Sequence, residues 1–190
     1  MTEPFENETR QAVYGAAMRL AAEQGWQRTT MGDIAAASGR DLATLHDIAI
    51  DKAAILTGIT EEADRAVLRA AADLTLDDPA RERLFDVLMQ RFDSLRPYRA
   101  GLRAVLRDFG GDPVAAAALL GALGRSMAWM LEAAKVPATG PLAPLRVAGL
   151  GALYAVSFRT WLSDEGEDSP RTMASLDQNL RRAERWLGLT

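Results

Sequence analysis

Apolar positions recur three and four residues apart along most of the chain. Val13, Ala16, Ala17, Leu20 and Ala21 lie on one helical stripe, and Leu42, Leu45 and Ile48 repeat the spacing over a shorter stretch. No segment alternates apolar and polar residues with period two, and runs of β-branched residues are absent, so no strand is expected. The punctuation agrees. Thr30 followed by Asp33 resembles a capping box with Asp in place of Glu. Asp78-Pro79, Asp112-Pro113 and Ser169-Pro170 each set a capping side chain before a proline suited to a first helical turn. Gly25, Gly39, Arg96-Pro97, Gly110-Gly111 and the three-proline loop 136–144 read as stops. The pattern predicts an all-α chain of about nine helices: 6–24, 31–38, 42–48, 52–75, 79–95, 98–109, 113–134, 142–163 and 170–187.

The helices differ in kind along the chain. Residues 1–50 carry short ones, of the size found in helix-turn-helix units, and residues 51–190 carry longer ones that would pack as a bundle. The expected division is therefore a helix-turn-helix domain over 1–50 and a helical bundle over 51–190.

Composition narrows the chemistry. The 190 residues contain no cysteine, which excludes disulfides, a thiol nucleophile and any cysteine-ligated metal. The single histidine, His46, leaves no set of convergent ligands for zinc. No Gly-x-Ser-x-Gly elbow, P-loop or strand-linked Gly-x-Gly-x-x-Gly occurs. No catalytic residue, metal ligand or cofactor is expected, and the chain does not read as an enzyme. Residues 1–10 lack the basic start and apolar run of a secretory leader, and arginines interrupt both of the most apolar stretches. A cytoplasmic protein without a transmembrane segment is expected.

Residues 9–56 carry a specific pattern. A first helix ends at Glu23-Gln24-Gly25-Trp26, where Gly25 suits a left-handed C-terminus. Thr29-Thr30-Met31-Gly32-Asp33-Ile34-Ala35 starts a short helix, Ala37-Ser38-Gly39 turns the chain, and a second short helix follows. This run resembles the amino-terminal domain of the TetR family of transcriptional regulators. Matching residues include Ala17, Gly25, Thr29, Thr30, Asp33, Ile34, Ala35, Ala37, Gly39, Thr44, Leu45, Lys52, Ile55 and Leu56. The resemblance implies a helix-turn-helix and bundle fold, a homodimer, operator DNA as a partner and a small-molecule pocket.

The second short helix departs from the family pattern. His46 stands where a phosphate-contacting tyrosine is usual, and Ala49 where a phenylalanine is usual. Residues 1–52 hold five basic and eight acidic side chains, a local charge of −3. Phosphate neutralisation supplies much of DNA affinity, so this head has few cations to offer. The candidate DNA contacts are Arg28, Thr30, Arg40, Thr44, His46 and Lys52, with Thr30 at a helix start able to present backbone N–H groups to a phosphate. The alternative is a retained scaffold that no longer reads DNA.

A second, shorter similarity lies further on. Residues 98–108, 161–164 and 172–177 resemble bacterial relatives of the coenzyme Q biosynthesis lipid-binding protein, a TetR-like fold that binds isoprenoid lipid. The amphipathic membrane-binding helix that family adds after its last bundle helix has no counterpart before Thr190. This likeness supports a second reading, a lipid-binding accessory protein with a vestigial helix-turn-helix.

Three further features concern partners. Phe85, Met89, Phe92, Leu106, Leu123, Met127, Met130 and Phe158 are the candidate pocket lining, and adaptable apolar side chains of this kind favour an apolar small molecule or lipid. No charged residue stands clearly within that set. Arg96, Arg99, Arg103 and Arg107 share one face of the sixth helix, in a stretch (81–107) with a local charge of +4, and face either an anion or solvent. Ala148, Gly149, Ala152, Ala155, Trp161, Leu176, Leu180 and Ala183 leave too many apolar or small faces on the last two helices for a solvent-covered surface. The TetR resemblance implies a symmetric dimer interface there.

Overall fold

The computed structural model describes residues 3–108, 113–166, 168–187 and 189, with side chains described for these except 3–5, 73, 113–118 and 186. Nine α-helices run through the described residues: α1 (Glu3–Gln24), α2 (Met31–Ser38), α3 (Leu42–Ile48), α4 (Lys52–Ala70), α5 (Ala80–Leu95), α6 (Arg99–Asp108), α7 (Pro113–Ala133), α8 (Ala143–Ser163) and α9 (Pro170–Leu187). Short 3-10 turns follow α4 (Ala71–Asp73) and precede α6 (Arg96–Tyr98). No strand occurs among the described residues. The helices match the periodicity closely. The fourth is shorter than expected because the chain tightens into the 3-10 turn. The Gly110-Gly111 stop and the Asp112 cap lie outside the described residues.

Local chemistry sets the ends. Thr30 and Asp33 close a full capping box at the start of α2. Gly39 ends that helix at φ 67°, and Gly25 ends α1 at φ 92°, both left-handed conformations that glycine adopts without strain. Asp41 caps α3 by accepting the Thr44 N–H, and Asp51 accepts the Ala54 N–H at the start of α4. At α9 a residue from outside the helix joins in. Asp164, just past α8, accepts both the Thr172 N–H (2.8 Å) and the Thr172 hydroxyl (2.9 Å), while Ser169 lies buried at φ 50°.

By compactness the chain divides into Met1–Ile59 with Arg96–Leu120, and Thr60–Leu95 with Gly121–Thr190. The boundary thus falls inside α4, and α6 joins the helix-turn-helix. In the first unit Val13, Ala17, Ile34, Leu45, Ile55 and Ile59 are buried, and α6 packs on α1 through Gly101, against the Met18 backbone. In the second unit the core runs through Leu84, Leu88, Phe92, Met127, Met130, Leu131, Leu150, Trp161, Leu176 and Leu180. Arg83 donates to the carbonyl of Ala134 at the end of α7 (2.9 Å), and Arg81 pairs with Asp177 of α9 (2.7 Å).

Candidate functional site

The α2-turn-α3 segment forms a rigidly seated head. Leu45 anchors α3 from within, 1% exposed, and the C-cap Ala49 is buried beside it. A phenylalanine is usual at Ala49 in the resembling family; here that position is a packing position. The outward residues of α3 are Leu42, Ala43, His46 and Asp47. Two of these four side chains are apolar, one is a histidine and one an acid.

Three of the eight acids of the head have a structural role. Asp33, Asp41 and Asp51 each accept helix N-terminal N–H bonds, where the helix dipole favours negative charge. The Thr30 backbone N–H and then its hydroxyl hold the Asp33 carboxyl below its ordinary pKa. The Thr44 backbone N–H and then its side chain do the same for Asp41. Asp47 has no such role in the described hydrogen bonds and remains on the outward face.

The six candidate DNA contacts all fall in the first unit but are not equally available. His46 is exposed in the last turn of α3, Arg28 is exposed, and Arg40 and Thr44 are half-buried. Arg28 Nε donates to the carbonyl of Gln24 at the end of α1. The exposed Thr30 has its hydroxyl engaged in the capping box, where it takes the Asp33 N–H. Lys52 is drawn inward. Its Nζ donates to the Trp26 carbonyl (2.6 Å) and sits 4.9 Å from the Trp26 ring centroid.

The bundle candidates behave differently from one another. Phe92, Met127 and Met130 are fully buried, while Phe85, Met89, Leu123 and Phe158 are half-buried, all in the second unit. Leu106 does not join them. It lies in the first unit and is 36% exposed, because α6 turns Gly101, Ala104 and Val105 inward.

A charged group also lies buried in the second unit. Arg91 of α5 lies 2% exposed inside the second unit. Its Nε donates to Asp64 of α4 and to Ser126 of α7, both at 3.1 Å, and its Nη1 donates to the Tyr154 hydroxyl of α8. Ser126 also donates to Asp64 (2.6 Å). Phe92, Tyr154, Phe158 and Trp161 stack beside this centre, with Phe92 and Tyr154 5.0 Å apart and 8° from parallel. A signal was present in the sequence: Arg91 continues the stripe Leu84, Leu88, Leu95 on the buried face of α5.

The arginine stripe on α6 is mostly outward, with Arg99 half-buried. Arg107 lines a surface cleft of about 360 Å³ together with Gln24, Gln27, Arg28 and Asp108. There the Asp108 carboxylate accepts the Gln27 N–H (3.3 Å), and the Asp108 carbonyl accepts from the Gln27 side chain (3.0 Å).

The small-residue set on α8 and α9 separates into two groups. Ala148, Ala152 and Ala155 are exposed and Gly149 is half-buried. Trp161, Leu176, Leu180 and Ala183 are at most 2% exposed within the chain's own bundle. These four belong to the core of the second unit. Leu142, Leu145 and Val156, each more than half exposed, enlarge the outward apolar face of α8 instead.

Among the described residues no helix is long and apolar enough to cross a membrane, and no group of three His, Asp or Glu side chains is placed to hold a metal.

Residues 13–58 match the family model of bacterial regulatory proteins, tetR family. The TetR transcriptional regulator of Nitrosomonas europaea is 25% identical, with 93% of this chain and 98% of that one covered and a TM-score of 0.74. A TetR transcriptional regulator of Rhodococcus sp. shows 17% identity, 93% and 95% coverage and a TM-score of 0.64. NalD of Pseudomonas aeruginosa, the secondary repressor of a multidrug efflux pump, shows 19% identity, 92% and 96% coverage and a TM-score of 0.56. By sequence, no curated protein matches the chain. These matches give the chain the TetR fold and support its reading as a transcriptional regulator of that family. The resemblance to the coenzyme Q lipid-binding proteins finds no support in them.

Proposed function

We propose that this protein is a homodimeric, one-component transcriptional repressor of the cytoplasm, released from its operator by a small molecule held in the second unit. The observation that carries the reading is the build of the head. A capping box, a left-handed glycine turn and an Asp cap seat α3 on Leu45 and leave Leu42, Ala43 and His46 outward. Apolar side chains such as Leu42 and Ala43 meet thymine methyl groups in a major groove, while Arg28, Arg40, Thr44 and His46 supply the polar contacts. Three of the head's eight acids have a capping role that explains their presence without reference to DNA.

Dimerisation supplies the second head that a two-fold operator requires, at about 34–36 Å between half-site centres. The exposed stripe Leu145, Ala148, Ala152 and Val156 on α8 supports a self-complementary contact between copies. Ligand occupancy then lowers operator affinity through a coupling of about 1–3 kcal/mol, or roughly 5- to 150-fold.

The test is fluorescence anisotropy with the DNA upstream of the protein's own gene, scanned in salt beside a scrambled duplex. Specific binding that falls steeply with salt, and that Arg40→Ala/Thr44→Ala removes, is the expected result. Equal binding to both duplexes at low salt sinks the operator reading for that DNA.

A further inference from the structure

Lysine is rare in this chain: the 22 basic residues include only Lys52 and Lys135. Lys52 is the first residue of α4, directly after the Asp51 that accepts the Ala54 N–H. At that end the helix dipole is positive and disfavours a cation. A lysine is held there at little cost only where its charge finds other partners. Here the partner is Trp26, in the loop that joins α1 to α2.

The contact has two parts. Lys52 Nζ donates to the Trp26 carbonyl at 2.6 Å and lies 4.9 Å from the centre of the Trp26 ring. Trp26 is itself buried. The same carbonyl takes the Thr29 N–H at 3.3 Å, and the buried Thr29 donates its hydroxyl to the Gly25 carbonyl at 2.9 Å. Thr29 precedes Thr30, the cap of α2. A continuous run of hydrogen bonds and peptide links thus joins the first turn of α4 to the first turn of α2. Without the ammonium, the Trp26 carbonyl is left with the longer bond from Thr29.

Building on the reading of the head as the part that binds DNA, we propose that Lys52 is a positioning residue for operator binding and not a phosphate contact. It acts through Trp26. By holding the α1–α2 loop against α4 it sets the stance of α2, and of the α3 that α2 carries. Its half-buried ammonium is spent on the carbonyl and the ring.

The presence of two lysines allows a test on the unmodified protein. Limited acetylation with acetic anhydride, read by peptide mass spectrometry, gives a rate for each. Lys135 is exposed and serves as the internal reference. Lys52 is expected to react about tenfold slower than Lys135 without DNA, because its amine must first leave Trp26. The duplex from upstream of the protein's own gene should slow it by less than about twofold more. A phosphate contact behaves in reverse, with Lys52 as reactive as Lys135 in the free protein, or strongly protected once the duplex is added. Either result overturns the proposal.

Lys52→Met then separates position from charge. It keeps a stem to lie on the Trp26 ring and loses the ammonium. Binding of the duplex is expected to weaken about fivefold with the slope of log affinity against log salt unchanged, and Lys52→Arg should restore it. Loss of a phosphate contact instead flattens that slope by about 0.9. Circular dichroism at the assay temperature gives the folded fraction of each variant, so that unfolding is not counted as lost affinity. A flattened slope or an unchanged affinity overturns the proposal. Slow acetylation of Lys52 in a protein that ignores the duplex defeats the repressor reading for that DNA alone. Fast acetylation in a protein that binds the duplex specifically defeats this inference alone.

Discussion

Gly101 of α6 stands so close to Met18 of α1 that a Cβ at position 101 would lie 2.4 Å from the Met18 carbonyl oxygen and 2.6 Å from its Cα. Both contacts are to main chain in the middle of a helix, which cannot step aside as a side-chain tip can. Gly101→Ala is therefore expected to destabilise the protein by about 1–3 kcal/mol, despite the better helix propensity of alanine. Gly15→Ala is the control. It lies within α1 with nothing within 4 Å of its added Cβ, so it should gain up to about 1 kcal/mol. Chemical denaturation of the two variants checks the pair, and a stable Gly101→Ala would mean that α6 does not pack on α1 this closely.

The contrast between these glycines shows what the sequence held and what it did not. Helix identities were legible because caps and stops are local: Thr30 with Asp33, Gly39, and Pro170 are read within four residues. The head was legible for the same reason. The roles of Gly101 and Arg91 depend on partners far away in the chain, Met18 for one and Asp64, Ser126 and Tyr154 for the other. The surroundings of Trp161, Leu176, Leu180 and Ala183, buried in their own bundle, are not legible in the sequence, because an apolar helix face looks the same whether its own chain or a second copy covers it.

Acid sensitivity follows from the caps. Burial pushes the Asp164 carboxyl up, but the N–H and hydroxyl of Thr172, with the N–H groups of Gly166 and Arg171, together outweigh it and hold its pKa below the ordinary value. Asp33 and Asp41 are lowered as well. A carboxyl with a depressed folded pKa contributes stability above its unfolded value of about 3.9, and loses it as pH falls through the folded value. Urea midpoints should hold near neutrality and drop below about pH 4. Asp164→Asn keeps an acceptor for Thr172 but cannot titrate, so the gap between pH 7 and pH 3 should narrow. An unchanged gap would assign the acid loss to other groups.

Asp47 is the acid on the outward face of α3 that caps nothing in the described hydrogen bonds. If α3 enters a groove, this carboxylate faces phosphates and opposes binding. Asp47→Lys should strengthen binding to any duplex and steepen the slope of log affinity against log salt by about 1. Asp41→Lys, in contrast, removes the α3 cap and should weaken the head itself. Salt titrations of both variants decide the matter. A slope that Asp47→Lys leaves unchanged would place α3 away from the backbone.

The Arg91–Asp64 pair should behave as a unit rather than as two contacts. Removing one partner leaves the other charge buried with no counter-ion, which typically costs about 3–5 kcal/mol. Arg91→Met is expected to fall in that range. The double variant Arg91→Met/Asp64→Leu removes both desolvation penalties and should recover most of the loss, so the cycle shows strong coupling. Full recovery would mean that folding stability does not require the pair and would point to its use in recognising a ligand. No recovery would mean that Ser126 and Tyr154, once left without their charged partners, carry much of the cost themselves. Thermal or urea unfolding of the three variants reads this directly, and it can be done with no ligand and no DNA in hand.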